Sequence, residues 1–197
     1  KKNLDSVIKK NPNWKILDLG CGYRAHPGAT TIADIQDFSH YYKEKKFIKI
    51  NEKKLPFKDK EFDFVIASHV MEHVEDIDFF IKELERVSKK GYIELPTMLE
   101  DNLVFENKKD HLWHMDFDDV ENKLLISKKV QYFEPVLTVS TIKKLNEVFR
   151  TSLVLELIWE DTISNIINQS ADDKFKKISV LNLLKKYFSK RLRMLFK

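Results

Sequence analysis

A strand that ends in glycines, beside a second strand that ends in an acid, has the parts needed to hold a nucleoside. The first is Trp14-Lys15-Ile16-Leu17-Asp18-Leu19 running into Gly20-Cys21-Gly22; the second is Thr30-Thr31-Ile32-Ala33, ending on Asp34. A glycine turn at the carboxyl end of a parallel strand lets a ligand come close to the backbone. A carboxylate at the tip of the next strand can accept hydrogen bonds from both hydroxyls of a ribose. Together they point to an adenosine-containing cofactor. Gly20-x-Gly22-x-x-Ala25 formally satisfies the dinucleotide fingerprint, which requires a helix starting there to hold pyrophosphate. His26-Pro27-Gly28 follows at once, and a residue before proline is biased away from the helix. The stretch between Gly22 and Thr30 is also too short for a full crossover helix. The loop is poor for pyrophosphate and adequate for a nucleoside carrying an amino-acid tail, so a nicotinamide oxidoreductase stands as the alternative.

Two further groups could do chemistry. His69 falls just beyond the fourth strand, and the reference pKa of imidazole makes it, with His73, a candidate catalytic base; the plainer reading is that both shape the turn. His69-x-x-Glu72-His73 also spells the inverted zinc-protease motif. That motif places two histidines one helical turn apart with a distant acid as third ligand. Here it follows directly on a buried strand, so no metal is expected, and a zinc hydrolase is an alternative for a metal assay to decide. His111, Trp113, His114 and Asp116 form the second group. Strand alternation would put His111 and Trp113 on one face, Leu112 and His114 on the other. A Trp face there would suit a sugar ring or an aromatic acceptor; otherwise the segment is an exposed hairpin with one packed Trp.

The elements that must position these groups alternate. Phe47-Ile48-Lys49-Ile50 is a third strand, and Phe62 to Ala67 is an almost continuous apolar run, as for a strand buried on both faces. Ile77, Phe80, Ile81, Leu84 and Val87 recur at three- and four-residue steps, which predicts an amphipathic helix over Asp76 to Ser88. Gly91 sits where a helix stop is wanted, and Tyr92 to Leu95 is the next strand. The stretch from 110 to 131 reads as an inserted antiparallel hairpin turning at Asp118 to Asn122, a natural acceptor lid. A helix over Thr141 to Phe149, capped by Ser140, and a strand over Leu153 to Trp159 follow. The expected fold class is α/β, a Rossmann-like sheet with right-handed crossovers.

Ile16-Leu17-Asp18-Leu19-Gly20-Cys21-Gly22, then Leu55-Pro56-Phe57 with Phe62-Asp63-Phe64-Val65, then Ser68-His69-Val70-Met71-Glu72-His73-Val74 resemble the class I methyltransferases. Within these the chain is similar to the type 11 group, which Glu85-Arg86-Val87 with Lys90-Gly91 also matches. The resemblance covers about Trp14 to Pro96. It implies S-adenosylmethionine as cofactor, with Gly20 and Gly22 beside the methionyl tail, Asp34 on the ribose and Asn51 near the adenine. Asp18, Cys21, Ile35 and Ser68 complete the implied cofactor set, and His111, Trp113 and His114 are the candidate acceptor contacts. Asn51 departs from the Asp common in the group but still offers an acceptor to the adenine amino group. The short Tyr23-to-Gly28 loop also departs, and leaves open which residue grips the methionine carboxylate. The implied reaction is in-line methyl transfer to an oxygen or nitrogen acceptor. Similar enzymes with this compact loop occur in surface-polysaccharide pathways, so a glycan or lipid-linked glycan is the expected acceptor class. A non-catalytic binding subunit on the same fold is the other reading.

The 197 residues suit one domain, expected over 1–173, with a separate basic helix over 174–197. Nine Lys or Arg and no acid fall between Lys174 and Lys197, leaving 26 basic against 31 acidic residues elsewhere. A mildly acidic body argues against nucleic acid as partner. In the tail, Leu181, Leu184, Phe188, Leu192 and Leu195 lie at helical spacing among Lys185, Lys186, Lys190, Arg191 and Arg193. Such a helix either packs on its own domain or a partner subunit, or lies on an anionic membrane surface. No stretch is long and apolar enough to cross a membrane, and the first residues do not form a signal peptide. Cys21, the single cysteine, fits a reducing compartment. The expected location is cytoplasmic, either free or peripheral at the inner face of the membrane.

Overall fold

The computed structural model describes residues 2–51, 53–168 and 179–195. Its strands are β1 (Ile16–Leu19), β2 (Thr31–Asp34), β3 (Lys46–Lys49), β4 (Phe64–Ser68), β5 (Lys90–Pro96), β6 (Trp113–Asp118), β7 (Lys123–Lys128), β8 (Val154–Glu160) and β9 (Asn165–Asn168). The helices are α1 (Lys2–Lys10), α2 (Ile77–Val87), α3 (Met98–Leu103), α4 (Asn107–Asp110), α5 (Val139–Leu153) and α6 (Val180–Leu195), with a 3₁₀ turn at Met71–His73.

One sheet runs in the order β3-β2-β1-β4-β5-β8, parallel except for β8, which is antiparallel to β5. This is the expected α/β, Rossmann-like sheet. Every residue of β1 and β2 is buried, as is most of β4 and β5, which explains their largely apolar sequence. Alternation divides the core in two. Leu17, Leu19, Val65, Ala67, Ile93 and Leu95 face α2, while Ile16, Ile32, Phe64, Ile66 and Tyr92 face Leu4 of α1. The chain passes from β1 outward to β2 and β3 and then returns to β4, so the strand order reverses between β1 and β4. In open α/β sheets ligands bind at the carboxyl ends of the strands at such a reversal.

The β1–β2 connection contains no helix, as its length and Pro27 predict. The unexpected helix α1 instead brings its apolar residues to that side of the sheet. The α2 helix forms as predicted, and the Asp76 carboxylate caps it, accepting from Phe79 N at 3.1 Å. Gly91 is not a helix stop: α2 ends at Val87, and Gly91 lies inside β5. A Cβ there would lie 2.7 Å from the Trp159 ring and 2.7 Å from the Val65 carbonyl oxygen. Ser140 lies inside α5, and the cap is Thr138, whose hydroxyl accepts from Thr141 N at 3.3 Å.

β6 and β7 pair antiparallel from Trp113–Lys128 to Asp118–Lys123, and β9 joins β7 in parallel. Trp113, Met115, Leu124 and Ile126 pack into the core on the α2 side. This three-stranded sheet is a layer of the core, not the lid expected over an acceptor. None of the residues of α6 is buried. The expected boundary at 173/174 lies outside the described residues.

Candidate active site

The register of the sheet aligns the site. Leu19 pairs with Ala33 and Ala67, Ser68 with Glu94, and Glu94 with Glu156. The carboxyl-end residues Gly20, Asp34, Ser68 and Glu94 therefore follow one edge. A cleft of about 1110 Å³ opens along it, lined on one side by Asp18, Gly20, Cys21 and Arg24, and on the other by Ser68, His69, His73, Glu100 and His111.

The glycine turn is built largely from its own hydrogen bonds. Gly20 N donates to Ala33 O at 2.8 Å, Gly22 N to Asp34 Oδ2 at 2.9 Å, and Arg24 N to Cys21 O at 3.1 Å. Ala25 N donates to the Tyr42 hydroxyl at 2.9 Å, which itself donates to Gly22 O at 2.9 Å. His26 N donates to Asp18 Oδ2 at 2.6 Å. A pyrophosphate loop presents free backbone N–H groups to its ligand; here most are already engaged, and no helix follows. Both glycines have positive φ, 70° at Gly20 and 48° at Gly22. A Cβ at Gly20 would strike Val70 Cγ2 at 2.3 Å, whereas one at Gly22 would meet open space.

These features fit a nucleoside with an amino-acid tail. Asp34 is 8% exposed and receives Gly22 N on one oxygen and Gln36 N on the other at 2.9 Å. Each carboxylate oxygen keeps a lone pair for a ribose hydroxyl. Ile35 beside it is 73% exposed, an apolar surface against which a purine can lie. Asn51 is exposed two residues beyond β3. Arg24 lines the cleft beside the glycine turn and is a cation available to a methionine carboxylate. Cys21 is buried; burial, with Asp34 and Asp18 nearby, pushes its thiol up to about 12. It is a packing residue, not a nucleophile.

His69 stands at the turn out of β4 with φ of 56°, in the left-handed region. Its Nδ1 lies 3.2 Å from Glu72 Oε1 and its Nε2 3.4 Å from Glu94 Oε1, while its side chain is 41% exposed. Burial opposes the charged ring, but hydrogen bonds to Glu72 and Glu94 outweigh it and push the imidazole up to about 10. A ring that carries its proton at neutral pH donates and does not accept. The base role expected of His69 is thus replaced by that of a fixed cation between two buried carboxylates. His73 is exposed and donates from Nδ1 to Asp110 O at 2.9 Å. The two histidines sit on either side of a tight turn, without the helix that the inverted zinc-protease motif requires.

Of the three candidate acceptor residues, one faces the cleft. Trp113 is 2% exposed, its Nε1 donating to Val74 O at 2.7 Å and its ring covered by Lys128 Nζ at 3.7 Å. It is not available as a sugar platform. His114 is buried, with Nε2 donating to Val130 O at 2.8 Å. His111 lines the cleft. His111 and His114 were expected on opposite faces, yet both meet Asp101, at 2.6 and 3.0 Å. The reason is that β6 begins only at Trp113, so alternation does not reach His111.

Several cleft residues were not anticipated. Glu94, two residues before the end of β5, is buried and accepts from Ser68 Oγ at 3.2 Å, the Tyr92 hydroxyl at 2.6 Å and Arg150 Nη2 at 2.6 Å. An acid within the apolar run Tyr92-Ile93-Glu94-Leu95 was a legible signal. Glu100 on α3 is 5% exposed, its Oε2 has no hydrogen-bond partner, and burial holds its carboxyl above the usual range despite a hydrogen bond from Asn146. Nothing in the sequence marked it before α3 was placed.

A strand-order reversal, a glycine turn and an acid-tipped second strand define an α/β protein that binds a nucleoside cofactor. Residues 17–93 match the model of the methyltransferase domain family. That part of the chain is a class I methyltransferase domain of the type 11 group, whose methyl donor is S-adenosylmethionine. An uncharacterized protein of Methanocaldococcus jannaschii is 26% identical over 205 residues, spanning 81% of this chain and 86% of its own. The ubiquinone biosynthesis O-methyltransferase of Pelagibacter ubique is 33% identical over 103 residues, 45% of this chain and 43% of that enzyme. Among solved structures, the PH0226 protein of Pyrococcus horikoshii superposes with a TM-score of 0.48 at 18% identity, covering 81% of this chain and 88% of that one.

Proposed function

We propose that the protein transfers a methyl group from S-adenosylmethionine to an oxygen or nitrogen atom of an acceptor, with a glycan or lipid-linked glycan intermediate as the class expected. The observation that carries this reading is the continuity of the cleft. The glycine turn at β1 and the polar pocket from β4, α3 and the segment before β6 line one cavity. A cofactor at the turn and an acceptor in the pocket would therefore share one cavity.

Gly22, Asp34, Ile35, Asn51 and Arg24 would hold the cofactor, which when bound supplies an electrophilic methyl group on a sulfonium. The chain's own work is to place the acceptor in line and to deal with its proton. Glu100 suits that second task. It is buried, has an oxygen without a partner, and burial raises its carboxyl above the usual range, which makes its carboxylate a stronger proton acceptor. His69, held between Glu72 and Glu94, keeps the pocket wall fixed and offers positive charge to an acceptor oxygen.

The helix α6 supports contact with an anionic membrane. Leu181, Leu184, Phe188, Leu192 and Leu195 are 46–79% exposed along one side, with Lys185, Lys186, Lys190, Arg191 and Arg193 on the rest of it. Among the described residues no helix is long and apolar enough to cross a membrane, so the contact would be peripheral, in keeping with a cytoplasmic enzyme.

Release of S-adenosylhomocysteine from S-adenosylmethionine, measured against a panel of sugar nucleotides, lipid-linked sugars, phenols and amines, tests the activity. Turnover on one class names the acceptor. Tight cofactor binding with no turnover on any would favour a binding subunit. Co-sedimentation with phosphatidylglycerol vesicles, lost at high salt and in Lys186→Glu/Lys190→Glu, tests the membrane contact.

A further inference from the structure

We propose that Glu72, His73 and His111 form a binding site for a divalent transition-metal ion on the acceptor side of the cleft. Each offers one ligand atom, and these atoms all lie within 4.8 Å of one another. Donors about a tetrahedral zinc ion stand about 3.4 Å apart, given bonds of about 2.0–2.2 Å. Side-chain rotations that shorten a separation by about 1.4 Å at most would close the set.

Three observations point to an ion rather than to a chance cluster. Glu72 is 1% exposed; its Oε1 meets His69 Nδ1 at 3.2 Å, and its Oε2 has no hydrogen-bond partner. A buried carboxylate oxygen left without a partner is costly, and a cation would satisfy it. Both histidines are also oriented from behind. His73 Nδ1 donates to Asp110 O at 2.9 Å, and His111 Nδ1 faces Asp101 Oδ1 at 2.6 Å. In His73 this leaves Nε2 free to ligate, with a carbonyl behind the ring as the usual support of a metal-bound histidine; His111 Nδ1 is close to Asp101 Oδ1 but makes no hydrogen bond, so Asp101 supports that ring by charge and proximity. Finally, the backbone carrying the three residues is clamped. Leu112 N donates to Glu72 O at 2.7 Å and Trp113 Nε1 to Val74 O at 2.7 Å, joining the 3₁₀ turn to the start of β6. The two rings meet edge to face, 4.6 Å apart.

Two imidazoles and one carboxylate suit zinc or another first-row divalent ion, and not magnesium or calcium, which take mainly oxygen. Three protein ligands leave a coordination position open, and His73 and His111 both line the cleft. That position would take an oxygen or nitrogen of the acceptor. Metal binding stands on the geometry alone; the assignment of the open position to an acceptor rests on the methyl-transfer reading.

The set differs from the sequence motif His69-x-x-Glu72-His73. His69 is turned between Glu72 and Glu94, and His111, distant in sequence, takes its place.

The test is calorimetric titration of the chelator-stripped protein with Zn²⁺, with Mg²⁺ as control and with the visible spectrum of the Co²⁺-loaded protein as a second readout. One Zn²⁺ should bind per chain. His73→Ala and His111→Ala should each weaken it at least 100-fold and abolish the Co²⁺ ligand-field bands. Asp101→Asn, which leaves all three ligands in place, should weaken it about 10- to 100-fold. Circular dichroism confirms that each variant is folded; should His111→Ala not fold, His111→Gln replaces it. Zinc affinity unchanged in both histidine variants, or Mg²⁺ binding in preference to Zn²⁺, would overturn the site. S-adenosylhomocysteine binding, titrated on the same stripped protein, tells the two ideas apart. Zinc binding without it leaves the metal site standing and removes only the acceptor role.

Discussion

Replacing Glu83 by Gln perturbs the clamp that holds the segment after β3, and with it Asn51, against α2. Glu83 is 4% exposed. Its Oε1 accepts from Arg86 Nε at 2.6 Å; its Oε2 accepts from Arg86 Nη2 at 2.7 Å and from Leu55 N at 2.8 Å. Arg86 in turn donates to Phe57 O at 2.7 Å and Leu55 O at 3.0 Å. Breaking a buried ion pair by removing one partner costs about 3–5 kcal/mol. Arg86, at 19% side-chain exposure, keeps Asp59 at 2.9 Å and some solvent, so the cost falls to about 2–3 kcal/mol. For a chain of this size each kcal/mol shifts Tm by about 2–4 °C, which gives a fall of about 4–12 °C by circular dichroism at pH 7. Burial opposes ionisation of Glu83, but its hydrogen bonds to Arg86 and Leu55 outweigh this and hold its carboxyl below the usual range. A carboxyl lowered on folding contributes stability above its unfolded pKa, near 4.3, and loses it as pH falls through the folded value. The Tm of the parent and of Glu83→Gln should therefore converge as pH drops below about 4. A Tm change under 2 °C at pH 7, or a gap that does not narrow as pH falls below about 4, would refute the reasoning.

Other substitutions probe the site. On the proposed reading Asp34→Ala would remove a charged acceptor of two ribose hydroxyls, each worth about 1.5 kcal/mol or more. The Kd for S-adenosylhomocysteine should rise about 100-fold in calorimetry, with a folded spectrum, and unchanged affinity would remove the ribose role. Gly91→Ala forces a Cβ against the Trp159 ring and the Val65 carbonyl and should destabilise by about 1–3 kcal/mol, read by urea unfolding; a neutral outcome would mean β8 can move away. Glu100→Gln should lower kcat on the true acceptor at least tenfold while S-adenosylhomocysteine affinity holds. Equal kcat would make Glu100 a packing residue.

Much of the sheet was legible because its signals are local. Asp18 to Gly22, the apolar run at Phe64 and the three- and four-residue steps of α2 each carry their period within one element. The absent first crossover helix was readable from Pro27 and the short span to Thr30. The failures have one cause, that a side chain's surroundings come from distant segments. Trp113 alternates as expected, but the layer it enters is core, a fact decided by Met115, Leu124, Ile126 and α2 together. His69 looked like a base because its reference pKa is near neutral; Glu94, 25 residues on, changes that. Gly91 resembled a helix stop until Trp159 of β8 was placed against it. The positions of Gly20, Asp34 and Ser68 were easier to foresee, since they lie at the ends of strands whose order the sequence implies.

The central claim is that the cleft takes an adenosine carrying an amino-acid tail. Calorimetric titration of the intact protein with S-adenosylhomocysteine, and separately with NAD, tests it most directly. The account predicts micromolar one-to-one binding of S-adenosylhomocysteine and none of NAD, because most N–H groups of the 20–26 turn are already engaged within the protein. Binding of NAD, or of neither compound, would contradict it.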